Sequence, residues 1–352
     1  MENRNRLYLD TVKGITVLLM LWGHCIQYCS LGEFSFFDNA AYRMIYSFHM
    51  PLFMLVSGYL YFFSFRKRDL KSLLIHRTQG MVQPIVFGTI LYNLMMKPLK
   101  LVLSGHATVF DGSLFSGLNL LWFLWCVLAS SLAVGVSCKV ARNGFQRWGM
   151  LLAGAVLVAV FPEKDFQLFM YPFFVVGFFW AKHREKLSAA AGKLKYVSLI
   201  LFPVMLHFYE SRHFIYITPM YSEEYGLFGS LEIDLFRFLI GLAGSAFVLT
   251  AVDLLLRGAA SKDRVPKLLS AVARLGQNSL QIYCLSAPLL SGYLSVLYQK
   301  LVEPFGYNVF ARNMAAYNYV FTPLLGIAYA AGLYGVVVLL KKLRIHALIF
   351  GR

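Results

Sequence analysis

Apolar runs, most of them close to the 17–25 residues that cross a bilayer core, recur from one end of the chain to the other. Their approximate bounds are Lys13–Leu31, Phe48–Phe65, Val82–Leu103, Gly117–Ser137, Trp148–Phe161, Phe166–Ala181, Tyr196–Tyr209, Phe236–Leu256, Leu280–Leu301 and Tyr319–Leu340. This pattern predicts an all-α integral membrane protein, a bundle of about ten transmembrane helices. The fifth and sixth runs are short and divided by Pro162-Glu163-Lys164-Asp165, and the third is interrupted at Lys97-Pro98. The first run follows a short charged stretch, outlasts any signal-peptide core and contains a histidine, so it reads as a retained span. No spacer, low-complexity tract or clear inverted repeat divides residues 1–352, which read as a single polytopic domain.

Composition changes the picture only by excluding a soluble protein. Of 352 residues 59% are hydrophobic and 14% charged, against about 25% charged in a soluble domain. The net charge of +16 raises nucleic acid as a partner, but its distribution argues against one. Assigning the connecting segments alternately to two sides puts 25 of the 33 Lys and Arg on the N-terminal side and 8 on the other. The acidic residues lean the opposite way, 6 against 11. That asymmetry is the positive-inside signature. It predicts both termini in the cytoplasm and a multi-pass protein of the cell membrane, its basic segments touching anionic lipid.

Cys25, Cys126 and Cys284 fall within runs, with Cys29 and Cys138 near run ends. No CxxC pair or metal-ligand spacing occurs, so small buried thiols are expected and no metal. Phosphate-binding glycine loops, HExxH and GxSxG are absent. The site is therefore expected inside the helix bundle.

Ionisable residues inside a span are costly and mark functional candidates. Lys13 and His24 are eleven residues apart, about three turns, so they share a helix face roughly 16 Å apart along the axis. Asp10 lies one turn below Lys13 and is placed to pair with it. One stripe thus runs from a cytoplasmic carboxylate and ammonium to an outer histidine. A snorkelling helix-end lysine and an interhelical histidine hydrogen bond are the structural alternatives. In the second run His49 is expected in the first turn, where Pro51 is tolerated. Ser57-Gly58 offers a small polar surface for another helix or a narrow ligand.

Arg6, Leu9-Asp10, Lys13-Gly14 and His24, followed by Phe48-His49-Met50-Pro51-Leu52-Phe53 and Ser57-Gly58-Tyr59-Leu60, closely resemble the membrane-bound acyltransferase 3 family. Leu121-Trp122-Phe123-Leu124 and Leu275-Gly276-Gln277-Asn278-Ser279-Leu280-Gln281-Ile282-Tyr283 extend the resemblance over most of the chain. It implies transfer of an acyl group, usually acetyl, from cytoplasmic coenzyme A to a hydroxyl of a cell-surface glycan or its lipid-linked precursor. The family's hallmark arginine, ten intervening residues, then histidine, falls here on Lys13 and His24. Lysine keeps the charge but not the planar fork. Where relatives often carry a histidine soon after the tyrosine of the ninth run, this chain has Ser286.

Under that resemblance His24 is the general base, with Lys13 and His49 beside it in catalysis. Asp10, Ser57, Arg77, Trp122 and Tyr283 are expected to contact substrate, and Arg66, Arg68 and Lys71 the phosphates of acetyl-CoA. The unperturbed histidine pKa near 6.5 suits a base. A carboxylate among Glu210, Glu223, Glu224, Glu232 and Asp234 is expected to orient it. Tyr209, Tyr216, Tyr221 and Tyr225 are available to stack on sugar rings, or serve as an interfacial belt. The alternative class is a transporter or flippase for a glycan or lipid. Against it stand the missing repeat and the lack of a mid-span coupling acid other than Asp253, near an inner end.

Overall fold

A computed structural model of the chain describes residues 2–29, 36–104, 118–260, 266–289 and 314–350. Among these residues every regular element is helical. The helices are α1 (Glu2–Tyr28), α2 (Ala40–Lys67), α3 (Leu70–Ser104), α4 (Trp122–Val140), α5 (Gly144–Val158), α6 (Lys164–Leu194), α7 (Ser198–His207), α8 (Gly226–Ala260), α9 (Lys267–Gln277), α10 (Ser279–Pro288), α11 (Thr322–Lys342) and α12 (His346–Phe350). The described part of each of the ten apolar runs lies largely on a helix; residues 30–31, 117 and 290–301 of those runs, more than half of the ninth, lie outside the described residues.

Five described stretches are long and apolar enough to cross a membrane: Asn5–Tyr28, Ala40–Lys67, Leu118–Val140, Gly226–Gly258 and Tyr317–Lys342. Gly144–Val158 and Lys195–His207 are apolar but shorter. At 1.5 Å per residue each covers only about 20 Å of a hydrocarbon core near 30 Å thick. The division at Pro162–Asp165 falls where the sequence places it, with Glu163 at φ 60° in the turn between α5 and α6. Four of the five cysteines are buried, and all five are free.

Helix α2 corrects one expectation. Asn39 Oδ1 accepts the backbone N–H groups of Ala41 and Tyr42 at 2.9 and 3.1 Å, so the helix starts at Ala40. His49 and Pro51 therefore lie in its interior, not its first turn. The cap and the apolar stretch after it carry α2 beyond the span that hydropathy outlines. Pro51 is accommodated beside Gly241 of α8, where any side chain would meet its ring.

Two glycine crossings assemble the bundle. Gly58 of α2 lies against the carbonyl of Phe174, and Gly177 of α6 against that of Leu55. Gly14 of α1 lies against the carbonyl of Val272, and Gly276 of α9 against that of Asp10. Small residues bring backbones close enough for extensive dispersion contact, the main source of helix association in lipid. α1 also packs on α2, α8, α10 and α11, and Trp22 Nε1 donates to Thr322 Oγ1 at 2.9 Å.

A Cβ at Gly276 overlaps the Asp10 carbonyl, whereas one at Gly335 of α11 meets nothing within 4 Å. Gly276→Val is expected to destabilise the protein by about 3 kcal/mol or more, and Gly335→Ala to be neutral or stabilising. Thermal unfolding of the detergent-purified variants checks this; equal midpoints would refute the crossing.

Candidate functional site

The site begins in the N-terminal half of α1. Lys13 Nζ pairs with Asp10 Oδ1 at 2.8 Å, with side chains 19% and 11% exposed. Gln277 Nε2 donates to Asp10 Oδ2 at 3.1 Å, so both carboxylate oxygens are engaged. The Gly276 crossing puts Gln277 there. At Asn278 the chain turns from α9 into α10, and Asn278 Oδ1 accepts Lys341 Nζ at 2.6 Å.

Above this junction lies a cavity of about 340 Å³ between α1, α2, α3, α4 and α10. Its lining includes Ser57, Arg77 and Tyr283, three of the five candidate substrate contacts, and Lys13, a candidate for catalysis, and adds His76, Gln277 and Gln281. Arg77 is held with its guanidinium 4.6 Å from the centre of the Tyr61 ring. The lining on α2 runs from Leu60 to Met50, about 15 Å of helix, and ends beside His49. Phe53, Phe123 and Tyr283 line its walls, Phe123 lying 5.8 Å from each of the other two rings.

Arg68 and Lys71 lie outside this cavity, along a surface hollow shared with His76 and Gln79. Because His76 lines both spaces, the hollow adjoins the cavity mouth. Arg66 sits over Phe62 at 5.8 Å and lines neither. Trp122 is also outside; it packs on Phe166 at 4.6 Å, and its neighbour Phe123 takes the cavity wall.

At the outer end His24 Nδ1 lies 3.1 Å from Gln27 Oε1 and 3.3 Å from the Tyr46 hydroxyl. Tyr46 Oη also lies 3.3 Å from Gln27 Oε1. One arrangement satisfies all three: Nδ1–H donates to both oxygens and the tyrosine O–H donates to the amide oxygen. That leaves the Nε2 lone pair of His24 free. His49 Nδ1 donates to the Ile45 carbonyl at 2.8 Å, which leaves its Nε2 in the same state. Tyr46 bridges the two imidazoles, its ring 6.3 Å from His24 and 4.7 Å from His49.

The orienting partner of His24 is thus an amide and a phenol, not a carboxylate of the outer segment. Glu210 pairs with Arg212 at 3.1 Å and Asp234 with Arg237 at 2.8 Å. Gln27 follows His24 by three residues and Tyr46 precedes His49 by three. Helical spacing alone puts each on its histidine's face, a signal passed over in the search for acids. Asp253 is likewise engaged, by Lys195 at 2.7 Å and Arg257 at 3.0 Å.

A model of an acyltransferase domain family matches residues 6–341. The chain belongs to that family. It is also similar to two nodulation proteins NolL. That of Sinorhizobium fredii is 31% identical over 209 residues, covering 57% of this chain and 55% of that protein. That of Mesorhizobium japonicum is 26% identical over 208 residues, with the same coverage. The match therefore spans a little over half of these curated relatives. No solved structure matches the chain. Among the described residues no three His, Cys, Asp or Glu side chains converge as metal ligands would.

Arg237 fixes the segment that covers the outer end. It is 2% exposed and donates to the carbonyls of Arg212, His213, Phe214 and Thr218 at 2.6–3.2 Å. The segment returns Tyr216 onto Tyr46, ring centres 5.9 Å apart. Within it the Glu210 N–H donates to His213 Nδ1 at 2.9 Å, which requires that nitrogen unprotonated. Burial, then the Arg212 charge, holds the His213 pKa down at about 4. The unfolded histidine titrates near 6.5, so the unfolded state takes up the proton first. The segment is fully held above about pH 6.5 and loosens as pH falls toward 4. Hydrogen exchange of residues 210–218, corrected for intrinsic rates, is expected to accelerate across that window. His213→Asn keeps an acceptor without the titration and should flatten the response.

Proposed function

We propose that this acyltransferase-family chain is an O-acyltransferase that moves an acyl group, in the first instance acetyl, from acetyl-CoA in the cytoplasm to a hydroxyl of a cell-surface glycan or its lipid-linked precursor. One observation carries the reading: the cavity runs from a basic mouth at Arg77 and His76 along α2 as far as Met50, the residue after His49, and His49 and His24 are each held through Nδ1, which leaves the Nε2 lone pair free. The proposed frame is ten spans in the cell membrane with both termini in the cytoplasm. The charge bias between alternate segments supports it.

The donor's nucleotide is anionic and cannot enter hydrocarbon. It belongs at the hollow of Arg68 and Lys71, with Arg77 at the mouth. The thin pantetheine arm follows the cavity past Ser57, Lys13 and Gln277 to the aromatic ring of Phe53, Phe123 and Tyr283. His24 Nε2 takes the proton of the acceptor hydroxyl as its oxygen attacks the thioester carbonyl carbon. The carbon–sulfur bond breaks, and the coenzyme A thiolate leaves toward the cytoplasm, where it is protonated. Gln27 and Tyr46 hold the His24 tautomer that this step needs; the imidazolium then gives its proton to solvent.

His24→Ala is expected to lower acetyl transfer to glycan by about 10²–10⁴-fold with the melting temperature unchanged. Undiminished turnover would remove the base. Ser57→Phe fills the cavity waist and should raise the KM for acetyl-CoA well above its effect on kcat. An unchanged KM would place the donor elsewhere. Mass spectrometry of surface glycans with and without the protein tests the reaction itself. The expected difference is one acetyl group per modified sugar.

A further inference from the structure

A second space in the bundle has no part in this chemistry. Between α5, α6 and α8 runs a groove of about 1620 Å³, beyond the roughly 300–1,000 Å³ of pockets for drug-sized ligands. Its walls include Leu152, Ala155, Tyr171, Val175, Ala246 and Leu249. On α6 it extends from Tyr171 to beyond His183, at least about 18 Å of helix. The groove starts near mid-span and ends at the basic, N-terminal side of the bundle.

Charge collects at that end on both walls. On one, Lys195 and Arg257 share Asp253. On the other, Trp148 stacks on Phe179 at 5.3 Å, both lining the groove, and Lys182 Nζ lies 5.5 Å from the Phe179 ring centre. Next to Trp148 is Arg147, whose Nε is buried without a hydrogen-bond partner among the described residues. Burial first, then the Arg147 charge, pulls the Lys182 pKa below its ordinary value, and no carboxylate acts to raise it. Arg147 and Lys182 do not line the groove but adjoin its rim at Trp148 and Phe179, at the end where Lys195 and Arg257 share Asp253; two cations that repel each other there call for an anion with apolar chains.

We propose that the groove holds one anionic glycerophospholipid of the cytoplasmic leaflet, its phosphate at Arg147 and Lys182 and its acyl chains along α5, α6 and α8. Small residues at Ala155 and Ala246 leave the width for the chains. The aromatic faces of Trp148 and Trp180 sit at headgroup depth, where indoles are favoured. A lipid that merely coats the protein has no need of the charge; this one is selected by it. The inference rests on the membrane reading and is independent of acyl transfer.

The full-length protein, purified in detergent, is offered equal amounts of phosphatidylglycerol and phosphatidylcholine with identical chains and examined by native mass spectrometry. One phosphatidylglycerol is expected to be retained in preference. The Arg147→Ala/Lys182→Ala double variant should retain it on the order of tenfold less, and Ala246→Trp, which fills the groove without changing charge, should also release it. Lys182→Gln replaces the double variant if that one does not elute as a single species. Equal retention of the two lipids, or phosphatidylglycerol retention untouched by the variants, would overturn the proposal in favour of coating lipid. Displacement by millimolar glycerol phosphate would overturn it in favour of a simple anion site.

Discussion

The close approach of α1 and α9, glycine against carbonyl at Gly14 and Gly276, is the constraint on which the rest of the site depends. It puts Gln277 on Asp10, which in turn holds Lys13. It also fixes where the chain turns at Asn278 and which face α10 shows to the cavity. A buried ion pair of this kind is weak evidence for stability; its value lies in registering one helix against another. Lys341 on Asn278 ties the same junction to α11, so the three helices meet at one polar point at the edge of the membrane.

The two ends of the bundle solve different problems. At the end that carries the N-terminus cations are numerous and mostly exposed, as suits the anionic donor and lipid proposed there. At the opposite end one buried guanidinium, Arg237, donates to four backbone carbonyls of an irregular segment. Such groups are expensive to bury alone. The outer cover is therefore held from below by a helix rather than by a core of its own, which its composition does not allow.

Much of this was legible in the sequence because membrane proteins write their constraints plainly. Apolar length marked the helices; the placement of Lys and Arg predicts their direction, which the helices themselves do not test. The stripe of Asp10, Lys13 and His24 follows from helical spacing alone. The start of α2 was not legible from hydropathy. Asn39 caps a helix whose first two turns serve the outer cover, so His49 and Pro51 moved inward from the expected first turn. The partners of His24 were not legible as acids because they are neutral, the amide of Gln27 one turn along α1 and the phenol of Tyr46 on α2. Trp122 and Arg66 illustrate the limit of motif matching, since each sits next to the cavity system without lining it.

The ring of Phe53, Phe123 and Tyr283 has an energetic consequence for the cell. A line of polar side chains from one face of a membrane to the other invites a water wire, and a water wire conducts protons. Apolar constrictions stop conduction by excluding water. Phe53, Phe123 and Tyr283 line the cavity that Lys13 also lines, and neither imidazole does, so apolar rings rather than a continuous polar line meet a ligand there. On the proposed function, the rings between which a thin, uncharged thioester passes are also the barrier to proton leakage across the membrane that the reaction spans.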